Sequence, residues 1–199
     1  LKGQESVSTT LVETHLAEDQ LIEAARLGNR DAFSELVLMH YQGVINVVYR
    51  MSGEMLLAED MAQETFIRAW TKLHTYRPTG SFRSWVYRIA TNAALDVLRR
   101  RKEEVDIDTL PLTASGVGVE HNVIQAQQAE VVRQAVLNLP AASRSVLVLR
   151  EYEGLSYQEI ADSLEIPLGT VMSRLAYARE KLKQALLGNE ALARPMEGS

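Results

Sequence analysis

Trp85, Arg88, Asn92, Asp96 and Arg99 recur at three- and four-residue spacing, so on a helix they form one stripe of ring, guanidinium and amide groups. Such a stripe suits single-stranded nucleic acid: rings stack on or wedge between bases, cations hold phosphates, and an amide reads a base edge. The preceding stretch HTYRPTGSFRSW adds Tyr76, Arg77, Phe82 and Arg83, basic residues interleaved with aromatics in a loop that could receive an unstacked base. A plainer account stays open, in which Trp85 is half-buried packing at a helix start and Arg99 to Lys102 answer the negative helix C-terminus. Upstream, Asp60, Gln63 and Glu64 share another helix face and offer a partner an acidic, amide-bearing patch. That patch could equally be a solvated surface, although Asp60 and Glu64 are like charges at i and i+4 whose repulsion a basic partner would relieve.

A third grouping lies in LSYQEIADSLEIPLGTVMSRLAYAREKL. Ser156 followed by Glu159 is a capping box that starts a helix with Ile160, Ala161 and Leu164 inward, and Pro167 fits the first position of the next helix. On that second helix Val171, Leu175, Ala178 and Leu182 fall on one side, leaving Thr170, Ser173, Arg174 and Tyr177 toward another. Two helices crossing over a small Ala161 make a helix-turn-helix, whose second helix commonly enters the major groove. Catalytic chemistry has little support. His15, His40, His74 and His121 form no metal-binding spacing, there is no Walker loop or recognisable Ser-His-Asp order, and His40 with Tyr41 reads as packing. No cofactor is expected. With zero cysteines, thiol nucleophiles, disulfides and Cys-ligated metals are excluded, and a reducing cytoplasm fits.

Helices must position all of these groups, since apolar residues recur mostly at three and four and strand patterns are almost absent. Leu16, Leu21, Ile22 and Ala25 mark a first helix stopped by Gly28; Asp31 can cap a second that ends at Ser52 and Gly53. A third runs from about Glu54 to Leu73 and a fourth from near Ser84 to about Lys102. An opening helix to about Leu139, another after Pro140 and two shorter ones split near Pro167 complete the chain. The fold class expected is all-α, in two small helical domains.

Charge is sorted along the 199 residues, whose formal net charge of −5 hides the segregation. Glu18 to Thr65 holds nine acids and three bases, Phe66 to Lys102 nine bases and one acid, and Glu103 to Asn122 five acids and no base. The last of these segments, with Pro111, Gly116 and Gly118 and no helical period, reads as a flexible acidic linker. The boundaries that follow are a flexible N-terminus 1–15, a first domain 16–102, the linker 103–122, a second domain 123–187 and a flexible tail 188–199. A net-acidic chain still binds nucleic acid through local patches. Hydrophobic residues are 46% of the total, enough for cores, yet no apolar run approaches the roughly 20 residues of a bilayer span, so no membrane insertion is expected. The N-terminus LKGQESVSTT has no apolar segment behind a basic start, which argues against a secretory signal peptide.

In this order the segments resemble bacterial RNA polymerase sigma factors of the extracytoplasmic function (ECF) group, over about Leu16 to Leu187. DAFSELV, AEDMAQETFIRAW and SFRSWVYRIATNAALDVLRRRK look like the family's region 2, and LPAASRSVLVLREYEGLSYQEIADSLEIPLGTVMSRLAYAREKL looks like its region 4. The resemblance implies that Asp60, Gln63 and Glu64 grip the coiled coil of the polymerase's largest subunit, beta-prime, and that the beta flap is a further contact. It places Trp85 and Arg88 at the upstream edge of the melted bubble, and the Thr75 to Ser84 loop with Asn92 at a pocket for a flipped base of the minus-10 element. Arg99 belongs to the same minus-10 set. The recognition helix, about Leu168 to Leu182, would read the minus-35 element through Thr170, Met172, Ser173, Arg174, Tyr177 and Arg179. Met172 and Tyr177 stand where many members carry Arg or Lys, so some phosphate and guanine contacts are missing. Promoter DNA, core polymerase and an anti-sigma factor are the implied partners. The rival reading is a stand-alone helix-turn-helix regulator binding duplex operator DNA, which accounts for the C-terminal half only.

Overall fold

The computed structural model describes residues 17–77, 80–105 and 123–188. The expected flexible ends and nearly all of the acidic linker lie outside the described residues. A first helix, α1, spans residues 17–26 and stops at Gly28, whose φ of 93° is open to a residue without a side chain. Helix α2 (Arg30–Ser52) is capped by Asn29, whose side chain accepts from the Ala32 N–H at 3.1 Å. Asp31, read from sequence as the cap, lies instead in the first turn, because Asn29 already occupies the position from which a side chain reaches the free N–H groups. Gly53 closes α2 in the left-handed region and sends its N–H to the Tyr49 carbonyl.

Helix α3 (Met55–Lys72) tightens into a 3-10 turn at Leu73–Thr75, and α4 (Phe82–Val105) begins two residues before the expected Ser84. In the second half α5 (Val123–Leu137) is followed by α6 (Ala141–Leu147), which runs on through a π-helical turn, Val148–Tyr152. Helices α7 (Tyr157–Leu164) and α8 (Leu168–Leu187) form the helix-turn-helix. The capping box at Ser156 and Glu159 is formed, with both of its hydrogen bonds present. Pro167 sits one place earlier than expected, as the N-cap, and α8 is long rather than short. Among the described residues there are no strands, no helix long and apolar enough to cross a membrane, and no cluster of His, Asp or Glu able to hold a metal.

In the N-terminal unit Leu36, Val44, Val47, Val48 and Met51 of α2 are fully buried against Ala58, Ala62 and Ala69 of α3 and Val86 and Ala90 of α4. Alanines on the buried side of α3 let three helix backbones approach closely, and the branched side chains of α2 fill the space. His40 is packing, as the sequence suggested: it is buried, its Nε2 lies 2.8 Å from Glu18 and its ring rests on Phe82. The C-terminal unit closes over Val146, Val148, Leu149, Leu155, Ile160, Val171 and Leu175.

The two units are docked, and a single contiguous core runs through both. Arg144 of α6 donates to the carbonyls of Met51 in α2, of Leu137 at the end of α5 and of Leu139 just after it, so a cation ties α2 of the first unit to the turn between α5 and α6 of the second. The Tyr87 hydroxyl donates to Glu153 at 2.8 Å, passing so close over Gly43 that a Cβ there would lie 2.2 Å from it. Glycine at 43 is therefore a matter of space.

Candidate functional site

Helix α3 presents two polar faces away from the core. At 100° per residue Leu56, Asp60, Gln63 and Ile67 fall within about 60° of one another, opposite the buried alanines. All four are exposed, Leu56 to 79% and Ile67 to 60%, so two large apolar side chains flank the acid and the amide. Glu64 stands at the edge of this face and is held at 2.6 Å by Arg68. Sequence reading found Asp60, Gln63 and Glu64 but missed Leu56 and Ile67, whose exposure is visible only once the buried face of α3 is known.

The other face of α3 contributes Arg68 and Lys72 to a groove of about 630 Å³. Arg77, Trp85, Arg88 and Asn92 line it as well, so the structure brings four of the residues singled out from sequence into one concavity and adds two cations from a neighbouring helix. A ring, an amide and several guanidinium or ammonium groups around a cavity of this size can hold a nucleotide, its base by stacking and hydrogen bonding and its phosphate by charge. The available signal for Arg68 and Lys72 was their spacing of four at the start of the basic segment.

Tyr76 and Phe82, by contrast, are buried. Their rings pack edge-on at 5.7 Å and both meet Trp85, at 5.4 and 5.5 Å, so they brace the tryptophan from behind. The Tyr76 hydroxyl donates to the Gly80 carbonyl at 2.9 Å, and burial, aided by Asp19 and Glu18, pushes its pKa up, leaving a neutral ring. Arg83 lies over the Tyr87 ring at 5.9 Å, turned away from the groove lining. Arg99 is exposed further along α4, with Asp96 at 3.7 Å. Pro78 and Thr79 of the loop lie outside the described residues.

On α8, Thr170, Ser173, Arg174 and Tyr177 share the side facing away from buried Val171, Leu175 and Ala178. Met172 and Arg179 project roughly 160° from the middle of that group. Arg179 pairs with Glu151 at 2.6 Å beside an apolar groove of about 690 Å³ lined by Leu147, Leu182 and Leu186. Thr170, Ser173, Arg174 and Tyr177 thus stand on the outer face of one helix, whereas the α4 site is a hollow between elements. Glu165, at the turn between α7 and α8, holds a left-handed backbone with φ 53° and reaches back to form an ion pair with Arg88 of α4.

Comparison with known proteins matches both halves. Residues 36–104 fit the Sigma-70 region 2 family and residues 129–182 fit Sigma-70, region 4. The ECF RNA polymerase sigma factor SigW of Bacillus subtilis is 34% identical over 176 residues, 83% of this chain and 94% of that protein. RNA polymerase sigma-H factor of Pseudomonas aeruginosa is 34% identical over 184 residues, 87% of this chain and 95% of its own length. Among solved structures, CnrH in complex with the cytosolic domain of CnrY superposes with a TM-score of 0.67 at 26% identity, covering 87% of this chain and 99% of that one. A match to region 2 as well as region 4 disfavours a stand-alone regulator, which has no use for the N-terminal unit. With both regions matched and the relatives aligned over most of their length, the chain belongs to the sigma-70 family as an RNA polymerase sigma factor of the ECF group.

Proposed function

We propose that this sigma factor joins core RNA polymerase through the exposed face of α3, opens promoters at the minus-10 element with α4, and reads the minus-35 element as duplex with α8. The observation that carries the reading is the opposition of two surfaces on α3: an acidic face flanked by Leu56 and Ile67, and a cationic face that completes the Trp85 groove. Aromatic or aliphatic anchors around a few charges are what a specific protein interface needs, and Asp60 with Gln63 and Glu64 suits a basic coiled coil of the beta-prime subunit. The beta flap meets the C-terminal unit.

In the groove, a base leaving the stack is trapped between Trp85 and the Asn92 amide while Arg68, Lys72, Arg77 and Arg88 hold the backbone. Strand separation is then driven by capture of transiently open bases and needs no nucleotide hydrolysis. Tyr76 and Phe82 act by holding Trp85 in place. On α8, Thr170, Ser173, Arg174 and Tyr177 enter the major groove, while Met172 and Arg179, on the opposite side of the helix, stay out of it. The chain is an initiation factor rather than an enzyme, acts in the cytoplasm, and is open to control by a bound protein such as an anti-sigma factor; CnrH, similar to it over most of its length, has been solved in complex with the cytosolic domain of CnrY. The test is run-off transcription by core polymerase with and without this chain on a randomised promoter pool. Selected start sites carrying two conserved elements support the reading; no chain-dependent RNA from any template rejects it.

A further inference from the structure

The polar side of α8 continues past the residues assigned to the major groove. At 100° per residue Thr170, Arg174, Tyr177 and Lys181 fall within about 60° of one another and make one row along the helix. Of the cations on α8, Arg179 is paired with Glu151 and Lys183 borders the apolar groove. Arg174 and Lys181 have no ion-pair partner among the described residues, and the neighbouring acid, Glu180, accepts instead from Gln184 at 2.9 Å. Tyr177 is 44% exposed, and its hydroxyl makes no hydrogen bond among the described residues. What holds its ring is the Lys181 ammonium, 5.8 Å from the ring centroid and one turn further along. An exposed aromatic ring and an exposed positive charge thus stand side by side at the end of the row.

Distance along the helix decides what each of these groups meets. At about 1.5 Å per residue Tyr177 lies about 10 Å beyond Thr170, inside a major groove roughly 12 Å wide, whereas Lys181 lies about 16 Å beyond it and overshoots the groove. With Thr170 and Arg174 at base edges, the ring therefore still faces bases and the ammonium is carried to the phosphate row on the rim. A tyrosine ring offers a base edge an apolar surface, and the apolar group that base pairs display in the major groove is the thymine C5 methyl. We propose that Tyr177 and Lys181 read the minus-35 duplex as a unit: the ring packs on the methyl of one thymine, and the ammonium that steadies the ring neutralises a phosphate beside it. The inference rests on the reading of α8 as the minus-35 helix, and adds to it a base identity and a contact residue outside the set assigned above. The ring supplies sequence preference, and the cation supplies affinity that is the same for every sequence.

The test uses holoenzyme assembled from core polymerase and the full chain, on a promoter drawn from the randomised pool. Each thymine of the upstream element, on either strand, is replaced in turn by deoxyuridine, which lacks only the C5 methyl. One replacement should weaken binding by about fourfold, the worth of one buried methyl-sized group. Tyr177→Ala should bind the thymine and deoxyuridine forms of that site equally. Lys181→Gln should weaken binding to every sequence and reduce the slope of log K against log salt by about 0.9, the share of one phosphate. It should also shrink the deoxyuridine penalty, because the ring loses the cation that holds it, and Lys181→Arg should restore both readouts. Both side chains are exposed, so the helical spectrum should be unchanged in all three variants. A flat deoxyuridine scan with the unsubstituted chain, a penalty that survives in Tyr177→Ala, or an unchanged salt slope in Lys181→Gln would each overturn the inference and leave the minus-35 reading standing. Selection of promoters with no upstream element rejects that reading, and the inference with it.

Discussion

The two surfaces proposed to meet nucleic acid differ in shape, and shape follows from the state of DNA each would meet. The N-terminal unit builds a hollow: Trp85 is propped by the buried rings of Tyr76 and Phe82, and cations converge from α3, α4 and the loop between them. The C-terminal unit offers one face of a single helix, α8, with Thr170, Ser173, Arg174 and Tyr177 on the side away from buried Val171, Leu175 and Ala178. An extruded base needs walls on more than one side, while an intact duplex supplies its own groove and needs only a rod to enter it. Hence the first surface depends on tertiary contacts between distant segments, whereas the second depends on one helix and the turn before it.

Breaking polymerase docking removes both surfaces from promoters at once and gives the largest effect. Asp60→Lys with Glu64→Lys should reduce core-polymerase binding by about a hundredfold or more, measured by pull-down or calorimetry, with the helical spectrum unchanged because both residues lie on the surface. Leu56→Ala and Ile67→Ala, tested together, should follow with about a tenfold loss. Retained binding in both sets would move the polymerase contact elsewhere.

Within the bound enzyme the hollow and the rod should fail differently. Trp85→Ala and Asn92→Ala should slow promoter opening by about tenfold or more while leaving polymerase association intact, since stacking on one base is worth about 1–3 kcal/mol. Permanganate reactivity of the minus-10 thymines reads this directly. Arg174→Ala should cost about 1–3 kcal/mol of duplex affinity, relax preference at one base position of the minus-35 element, and leave melting of bound complexes unaltered. If both variants lowered opening alike, the division between the two surfaces would be lost.

The smallest effects are on stability of the C-terminal unit. Ser156→Ala removes the cap of α7 and should destabilise that unit by about 1 kcal/mol. Burial raises the Glu159 pKa, but hydrogen bonds from the Ser156 backbone and hydroxyl and from Ser84 outweigh it and leave the carboxyl below its ordinary 4.5. A carboxyl lowered by folding contributes stability above its unfolded pKa and loses it as the pH falls through the folded value. Thermal unfolding between neutral pH and about pH 3 should therefore show a falling melting temperature that is shallower in Ser156→Ala and in Glu159→Gln.

Much of this molecule is written locally. The apolar spacing, the Gly28 and Gly53 stops, the Ser156 and Glu159 box and the segregation of acid from base all act through neighbours within a few residues, so helices, their faces and the two-unit plan can be read without knowing the fold. The choice of Asn29 over Asp31 as a cap shows the limit of that reading: adjacent residues of similar chemistry differ only in backbone geometry. Tertiary structure alone decided that Tyr76 and Phe82 turn inward while Trp85 stays at the groove, that Arg68 and Lys72 join Arg88 across two helices, and that Glu165 closes on them. Those outcomes depend on which surfaces meet when α3, α4 and α7 pack, and packing is set by the whole set of buried side chains rather than by the spacing within any one helix.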